Sequence, residues 1–118
     1  MYLINAVRVF TRDFDNALAF YEETLGLEVS SCDEEAGFAL FNTGPAKLIL
    51  EQLDDADSDL VGRFSGISLA VEDIHAEYEE LDHLGVEFTG PPEQQSWGGW
   101  LVHLLDYDNN IITLVGED

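Results

Sequence analysis

The sequence has very few basic residues. Lys and Arg together number 4 in 118 residues, against 25 Asp and Glu, so the formal net charge at pH 7 is −21. Binding to nucleic acid or to an anionic membrane depends on basic side chains that displace counterions. We therefore predict that neither is a partner of this chain.

The acidic residues fall in runs such as CDEEAG, DDADSD and AEYEELD. Runs of this kind are typical of a solvated coat on loops and exposed helix faces. Such a coat is tolerable in saline surroundings, because the Debye length is only about 3 Å at about 1 M salt. A surface that recruits cations is the alternative interpretation.

Cysteine and long apolar runs are also scarce. The single cysteine, Cys32, excludes an intrachain disulfide and fits a reducing compartment. No apolar run approaches the roughly 18 residues of a membrane span. The opening residues, MYLINAVRVF, have neither the basic region nor the long apolar core of a signal peptide. These absences predict a cytoplasmic protein.

The chain contains an internal repeat. LGLEV at residues 25–29 returns as LGVEF at residues 84–88, and each follows a stretch with helical spacing of apolar residues. The order strand, helix and three strands is predicted twice. Because each half, at about 55 residues, is too short to bury a core comfortably alone, we expect the halves to complete one another.

Three segments resemble the vicinal oxygen chelate superfamily, which contains glyoxalase I, bleomycin-resistance proteins, fosfomycin-resistance proteins and extradiol dioxygenases. They are RVFTRDFDNALAFYEETLGLEV, VEDIHAEYEELDHLGVEF and SWGGWLVHLLDYDNNIITLV. The last resembles the family's closing hairpin, whose turn usually reads Asp-Pro-Asp-Gly-Asn; Asn109 here replaces the glycine and tolerates the same left-handed conformation.

The resemblance implies the fold and its organisation. We expect an α+β fold in which paired βαβββ modules form a curled mixed sheet, a cup, with the helices outside. One glyoxalase/bleomycin-resistance-like domain would cover residues 1–118, with a first module over about 1–53, an acidic linker over about 54–64 and a second module over about 65–118. The family commonly forms homodimers, and the cup is built within one chain or across two.

The resemblance also places the family's divalent metal ion. The four ligand positions transfer to about Ile4, Glu51, Gly66 and Thr113. Only Glu51 is a ligand of ordinary strength, whereas a catalytic site generally needs three protein ligands. We therefore expect no cofactor, and a divalent metal only if the ligands are rearranged.

Strand alternation predicts a mostly apolar cup wall with a few polar groups. Arg8 and Lys47 favour an anionic or carbonyl-bearing ligand, or else they neutralise nearby acids. His103 is the candidate general base, because its pKa lies near neutrality; the alternative is a wall histidine bonded to a neighbour. The predicted ligand-binding residues are Arg8, Phe41, Lys47, Glu51, Ser68, Trp97, Trp100, His103 and Thr113.

These observations predict a metal-free protein that binds an apolar or anion-bearing small molecule in its cup. Two alternatives remain open. One is a metal-dependent lyase, isomerase or dioxygenase with rearranged ligands, and the other is a metal-independent enzyme with His103 as its base. Whether the chain is an enzyme is not decided by its sequence.

Overall fold

The structure, a computed structural model, describes residues 1–54 and 58–117. It contains nine strands and two helices within these ranges. The strands are β1 (Ala6–Thr11), β2 (Val29–Asp33), β3 (Phe38–Phe41), β4 (Lys47–Gln52), β5 (Phe64–Ala70), β6 (Glu87–Phe88), β7 (Glu93–Gln94), β8 (Trp100–Leu105) and β9 (Ile111–Gly116). The helices are α1 (Phe14–Ala19), which continues as a π-helical turn over Phe20–Thr24, and α2 (Ile74–His83).

The strands form two mixed sheets with the same topology. The first sheet has the order β1-β4-β3-β2 and the second has the order β5-β9-β8-β6, with β7 pairing to β8. In each sheet the first and last strands of the unit are parallel and the remaining pairs are antiparallel. The predicted α+β class is confirmed. In the described part of the chain β1 and β5 each have one strand neighbour, so each leaves one backbone edge free.

Both helices begin at an aspartate cap. The Asp13 carboxylate accepts a hydrogen bond from the backbone N–H of Asn16, and Asp73 accepts one from Ala76 at 3.1 Å. Such caps satisfy backbone donors that a helix leaves unpaired at its start. Neither described helix has the length and apolar character needed to cross a bilayer.

The core lies between each sheet and its helix. Alternate residues of the strands point to this side: Leu48 and Leu50 of β4 are 1% and 0% exposed, and Val102 and Leu104 of β8 are 1% and 0% exposed. Burying one such side chain stabilises the folded state by about 1.5–3 kcal/mol relative to leaving the side chain exposed. These residues belong to one continuous apolar cluster that includes both sheets. The shared cluster is the reason that neither half has to support a core by itself.

A buried polar network also joins the two halves. The Tyr21 hydroxyl, on the π-helical turn, donates a hydrogen bond to Asp106 Oδ2 in the β8–β9 turn. Asn110 Nδ2 donates to the same oxygen at 2.9 Å and to the Phe10 carbonyl at 2.8 Å. Burial raises the pKa of Asp106, although its hydrogen bonds from Tyr21 and Asn110 offset part of that rise. Burial, together with the Asp106 charge, holds the pKa of Tyr21 well above 10.0.

Several local features differ from the sequence-based expectation. The β-branched run predicts a first strand over Ile4–Phe10, whereas β1 begins at Ala6. The strand β6 ends before Pro91 and Pro92, as the prolines predict, but the short strand β7 that follows them is not predicted from the sequence. The predicted acidic linker over about 54–64 lies partly outside the described residues, because 55–57 are not described.

Candidate functional site

Each sheet has one face packed against its helix and one face left open in the described part of the chain. On β1, Val9 is 2% exposed, whereas the neighbouring Arg8 points the other way with a side chain 58% exposed. On the second sheet Phe64 is 57% exposed. We call these two surfaces the first open face (β1, β4 and β3) and the second open face (β5, β9 and β8).

The first open face is charged, and its charges contact one another. Arg8 Nη1 lies 3.3 Å from Glu51 Oε1, and the Arg8 guanidinium carbon lies 5.4 Å from the centroid of the Phe10 ring. Lys47 Nζ donates a hydrogen bond to the carbonyl of Gly44 at 2.9 Å. Both cations predicted to attract an anionic ligand therefore already have partners within the chain.

The second open face has a hydrogen-bonded polar pair at its centre. His103 Nδ1 and Thr113 Oγ1 share a hydrogen bond of 2.8 Å across the β8–β9 ladder. Ser68 is the β5 partner of Thr113, and the Phe64 ring meets the imidazole edge to face at 6.0 Å. The hydrogen bond engages one ring nitrogen of His103, and Nε2 has no bonded partner among the described residues.

Two cavities lie along this face, and the smaller one has His103 in its lining. The larger, of about 420 Å³, lies at the Trp97 end of the face and includes Ala70, Glu72 and Val115 in its lining. Trp97 is 60% exposed, and its ring packs so closely on Gly99 that a Cβ there would lie 1.7 Å from it. The smaller cavity, of about 210 Å³, is lined by Thr89, Gly90, Pro91, Glu93, Gln95, Leu101, Val102 and His103.

Two predicted ligand-binding residues lie on the helix side instead. Phe41 is 0% exposed, and its ring centroid is 5.8 Å from that of Tyr21. Trp100 shares a face of β8 with buried Val102, and its ring lies 4.6 Å from the imidazole of His75 on α2. For Phe41 the predicted position on the cup wall is therefore wrong, and the error is one residue of strand phase, which moves a side chain to the opposite face. Trp100 is predicted as a ligand contact because it flanks two glycines with Trp97, and its ring packs against α2 instead.

A bulge interrupts β5 at Gly66. Phe64 pairs with Ile111 and Ser68 pairs with Thr113, so β5 has two more residues than β9 between these pairs. Ser65 donates its hydroxyl to the Ile111 carbonyl, and Gly66 has φ = 75°, a left-handed conformation that favours glycine. Gly66 is thus part of a bulge and does not occupy the regular ladder position on the cup wall that strand alternation predicts.

Comparison with known proteins identifies the family. The sequence profile of the Glyoxalase/Bleomycin resistance protein/Dioxygenase superfamily matches residues 3–114. This chain belongs to that superfamily. A bleomycin resistance protein of Klebsiella pneumoniae is 30% identical to it over 115 residues, covering 92% of this chain and 87% of that protein.

Solved structures of the superfamily share the fold. A member from Sphaerobacter thermophilus is 29% identical, with a TM-score of 0.82 over 99% of this chain and 98% of its own. A lactoylglutathione lyase from Agrobacterium tumefaciens has a TM-score of 0.76 over 98% of this chain and 94% of its own. Because it is only 19% identical, that second likeness supports the fold alone.

The residues at the superfamily's metal positions do not fit a divalent ion. Gly66 offers no side chain, Ile4 is apolar, and the Thr113 hydroxyl bonds His103. Glu51 is the one carboxylate of the four, and Arg8 already contacts it. In the described ranges no group of three or more His, Cys, Asp or Glu side chains is arranged to hold a metal ion. We derive no catalytic step through a metal.

Sequence reasoning missed some residues of the second open face. Phe64 contacts His103 directly, and Thr89, Glu93 and Gln95 line its cavity. Phe64 was not selected because the bulge separates it from the alternating run of β5, although its position two residues before Gly66 is the available signal. Thr89, Glu93 and Gln95 precede β8 in a segment whose one strand, β7, is two residues long. Strand alternation cannot be recognised in so short a strand.

Cys32 is not a candidate nucleophile. Its thiol is exposed on β2, and partial desolvation together with the carboxylates of Glu34 and Asp33 raises its pKa. The thiolate, which is the reactive form, is therefore disfavoured.

Proposed function

We propose that this chain is a metal-free, small-molecule-binding protein of the glyoxalase/bleomycin-resistance type. In this proposal an apolar ligand lies on the second open face and makes one polar contact, to His103. The observation that carries the proposal is the His103–Thr113 pair on the second open face, with one cavity that His103 lines and a larger cavity at the Trp97 end of the face. Ligand sites usually combine an apolar lining with a few placed polar groups.

The contacts of the basic residues favour an apolar ligand over an anion-bearing one. An anionic group that approached Arg8 would compete with Glu51 for the guanidinium. Lys47 is turned towards its own β3–β4 turn. On the second open face, by contrast, Ala70, Val115 and Trp97 provide an apolar wall at a cavity of about 420 Å³, a volume suited to a drug-sized molecule.

We propose further that a second copy of the chain completes the site. Each open face is exposed, and each lies beside a strand, β1 or β5, with a free backbone edge in the described structure. In a homodimer the first open face of one copy would lie beside the second open face of its partner and wall the same cup. Arg8, Lys47 and Glu51 would then lie on the wall of the cup away from the partner's histidine.

Binding without chemistry suits a protective role. The relative from Klebsiella pneumoniae is named for bleomycin resistance. Sequestering a harmful apolar molecule needs a site of good affinity and no reactive group. The loss of the superfamily's metal ligands at three of four positions is compatible with that role.

A probe titration tests the proposal. We expect the neutral fluorophore N-phenyl-1-naphthylamine to bind, and the anionic 8-anilinonaphthalene-1-sulfonate to bind more weakly. Trp97→Ala should raise the dissociation constant of the neutral probe about tenfold, because aromatic contacts carry much of the binding energy in such sites. His103→Gln tests the proposed polar contact to the probe. His75→Gln, which changes a histidine on α2, is its control. The proposal fails if neither probe binds, or if treatment with a chelator abolishes binding.

His103 supports one alternative, a metal-independent enzyme. Its hydrogen bond to Thr113 orients the imidazole and leaves Nε2 available to a bound molecule, as a general base requires. If this alternative holds, His103→Gln removes turnover of a substrate while the affinity of the neutral probe changes little. A metal-dependent enzyme has weaker support, because Glu51 and His103 together offer only two donors.

A further inference from the structure

Two of the four basic residues of the chain line one small cavity. The cavity, of about 20 Å³, lies where β1, the segment before β5 and the β8–β9 turn meet, and Arg8 and Arg63 belong to its lining. Among the described residues no Asp or Glu lines it, although the chain has 25 of them. We call it the arginine cavity. It is a locally cationic place in a strongly acidic protein.

The guanidinium of Arg63 is available to a bound group. Arg63 is exposed, and its side chain has no bonded partner within residues 1–54 and 58–117. Arg8 is only partly engaged, because its Nη1 lies 3.3 Å from Glu51 Oε1 and a guanidinium has several further N–H donors. Two like charges on one cavity repel each other, so an anion in contact with both would stabilise the pair.

Asn110 holds the segments around the arginine cavity in place. Its side-chain oxygen accepts a hydrogen bond from the N–H of Gly62 at 2.7 Å. Its Nδ2 donates to the carbonyl of Phe10 at 2.8 Å and to Asp106 at 2.9 Å, and Ser65 donates its hydroxyl to a backbone carbonyl. The donors of these neutral side chains are therefore used within the fold. The guanidiniums remain, and because they only donate, an occupant of the cavity has to accept hydrogen bonds.

We propose that the arginine cavity is a binding site for one small monovalent anion, such as chloride, held by Arg8 and Arg63. Its volume suits a single water-sized species, because one water needs about 10–15 Å³. Larger organic anions would not be enclosed. The site is separate from that of the proposed function, since the arginine cavity shares no lining residue with the two cavities of the second open face.

The net charge of −21 is compatible with such a site. At physiological ionic strength the Debye length is about 8 Å, so acidic groups farther away are largely screened. A guanidinium in direct contact with the anion is screened much less, and its charge-assisted hydrogen bonds are strong. Because both halves of the chain contribute lining residues, the bound anion would stabilise the folded state by mass action.

Chlorine NMR of the full chain tests the proposal. Chloride that exchanges with a protein site gives a broader resonance than free chloride, and this excess linewidth is measured as chloride replaces gluconate at constant ionic strength. Gluconate is too large for a cavity of about 20 Å³. We expect a saturable excess linewidth that bromide reverses and that gluconate leaves in place.

Two variants, each with a matched control, locate the site. Arg63→Gln should raise the dissociation constant of chloride about tenfold or more, because charge-assisted hydrogen bonds are lost. Lys47→Gln removes the same charge outside the cavity and should change that constant little. Glu51→Gln releases Arg8 from its carboxylate and should lower the constant about threefold. Glu79→Gln, which removes an exposed charge on α2, is its control.

Circular dichroism checks that each variant is folded under the conditions of the NMR measurement. The proposal is overturned if wild type shows no saturable linewidth, or if Arg63→Gln and Lys47→Gln change the dissociation constant equally. Equal constants for Glu51→Gln and Glu79→Gln would also overturn it, because chloride would then respond to net charge alone. Competition by gluconate as strong as that by bromide would contradict a water-sized site.

Discussion

The two sheets have the same strand order and differ most on their open faces. Both place a parallel pair first, pack one face against a helix and leave the other face open. The first open face carries the Arg8–Glu51 ion pair, and the second carries the His103–Thr113 hydrogen bond with the Phe64 ring beside it. The side of the repeat that packs on the helices is apolar in both halves, while the open side differs in chemistry between them.

The turns that close the two sheets differ in the same way. In the β3–β4 turn Thr43 bonds the carbonyl of Ala46, so its contact is local. In the β8–β9 turn Asp106 accepts a hydrogen bond from Tyr21 of the other half. Among the described residues only the β8–β9 turn bonds the other half through a side chain, so the repeat is not symmetric in how its halves are joined.

The largest expected effect tests the assignment of faces within β3. Phe41→Ala should lower the free energy of unfolding by about 3–5 kcal/mol, because it empties a fully buried site. Phe38→Ala, on the open side of the same strand, should lower the free energy of unfolding by about 1 kcal/mol or less. Urea denaturation of both variants measures the difference. Similar losses for the two would mean that the faces of the first sheet are not distinct.

A smaller effect tests the asymmetric junction. Tyr21→Phe should lower the free energy of unfolding at neutral pH by about 1–3 kcal/mol, because it removes a donor from buried Asp106. Tyr78→Phe, on α2, is the control, since Tyr78 is only partly buried and has no corresponding bond to Asp106.

The pH dependence sharpens this test. An unfolded tyrosine ionises near pH 10.0, whereas folding holds the pKa of Tyr21 well above that value. Above pH 10.0 the folded state therefore keeps a proton that the unfolded state loses, and stability falls as pH rises, by up to about 1.4 kcal/mol per pH unit. Tyr21→Phe should show a shallower alkaline loss than wild type. Equal slopes would contradict the role assigned to Tyr21.

The smallest expected effect concerns the ion pair of the first open face. Arg8 and Glu51 side chains are 58% and 33% exposed, so water and salt screen their attraction. A double-mutant cycle with Arg8→Met and Glu51→Gln should give a coupling free energy of about 1 kcal/mol or less, smaller still in high salt. A coupling several times larger would mean that the charged face contributes to folding as the core does.

The sequence predicted the repeat and the order of elements along the chain, because helix endings and apolar periodicity are local signals, whereas the curled mixed sheet was implied by the family resemblance. It also placed His103 and Thr113 on one face, since residues of adjacent antiparallel strands alternate together. It did not place Phe41 correctly, because a one-residue error in strand phase moves a side chain to the opposite face. Trp100 was selected from its neighbouring glycines and not from alternation, so no signal in the sequence indicated that its ring packs against α2. The contacts of Arg8, Lys47 and Asp106 depend on tertiary geometry that no local pattern contains.

The bulge in β5 has a consequence for how this chain tolerates changes in length. Two extra residues lie between Phe64 and Ser68, and because two is the period of a strand, both flanking residues keep the same face while Ile67 remains in the core. Insertions or deletions of two residues at this point would be absorbed locally. A single-residue change would turn the rest of β5 inside out, so viable length variants here should differ by even numbers.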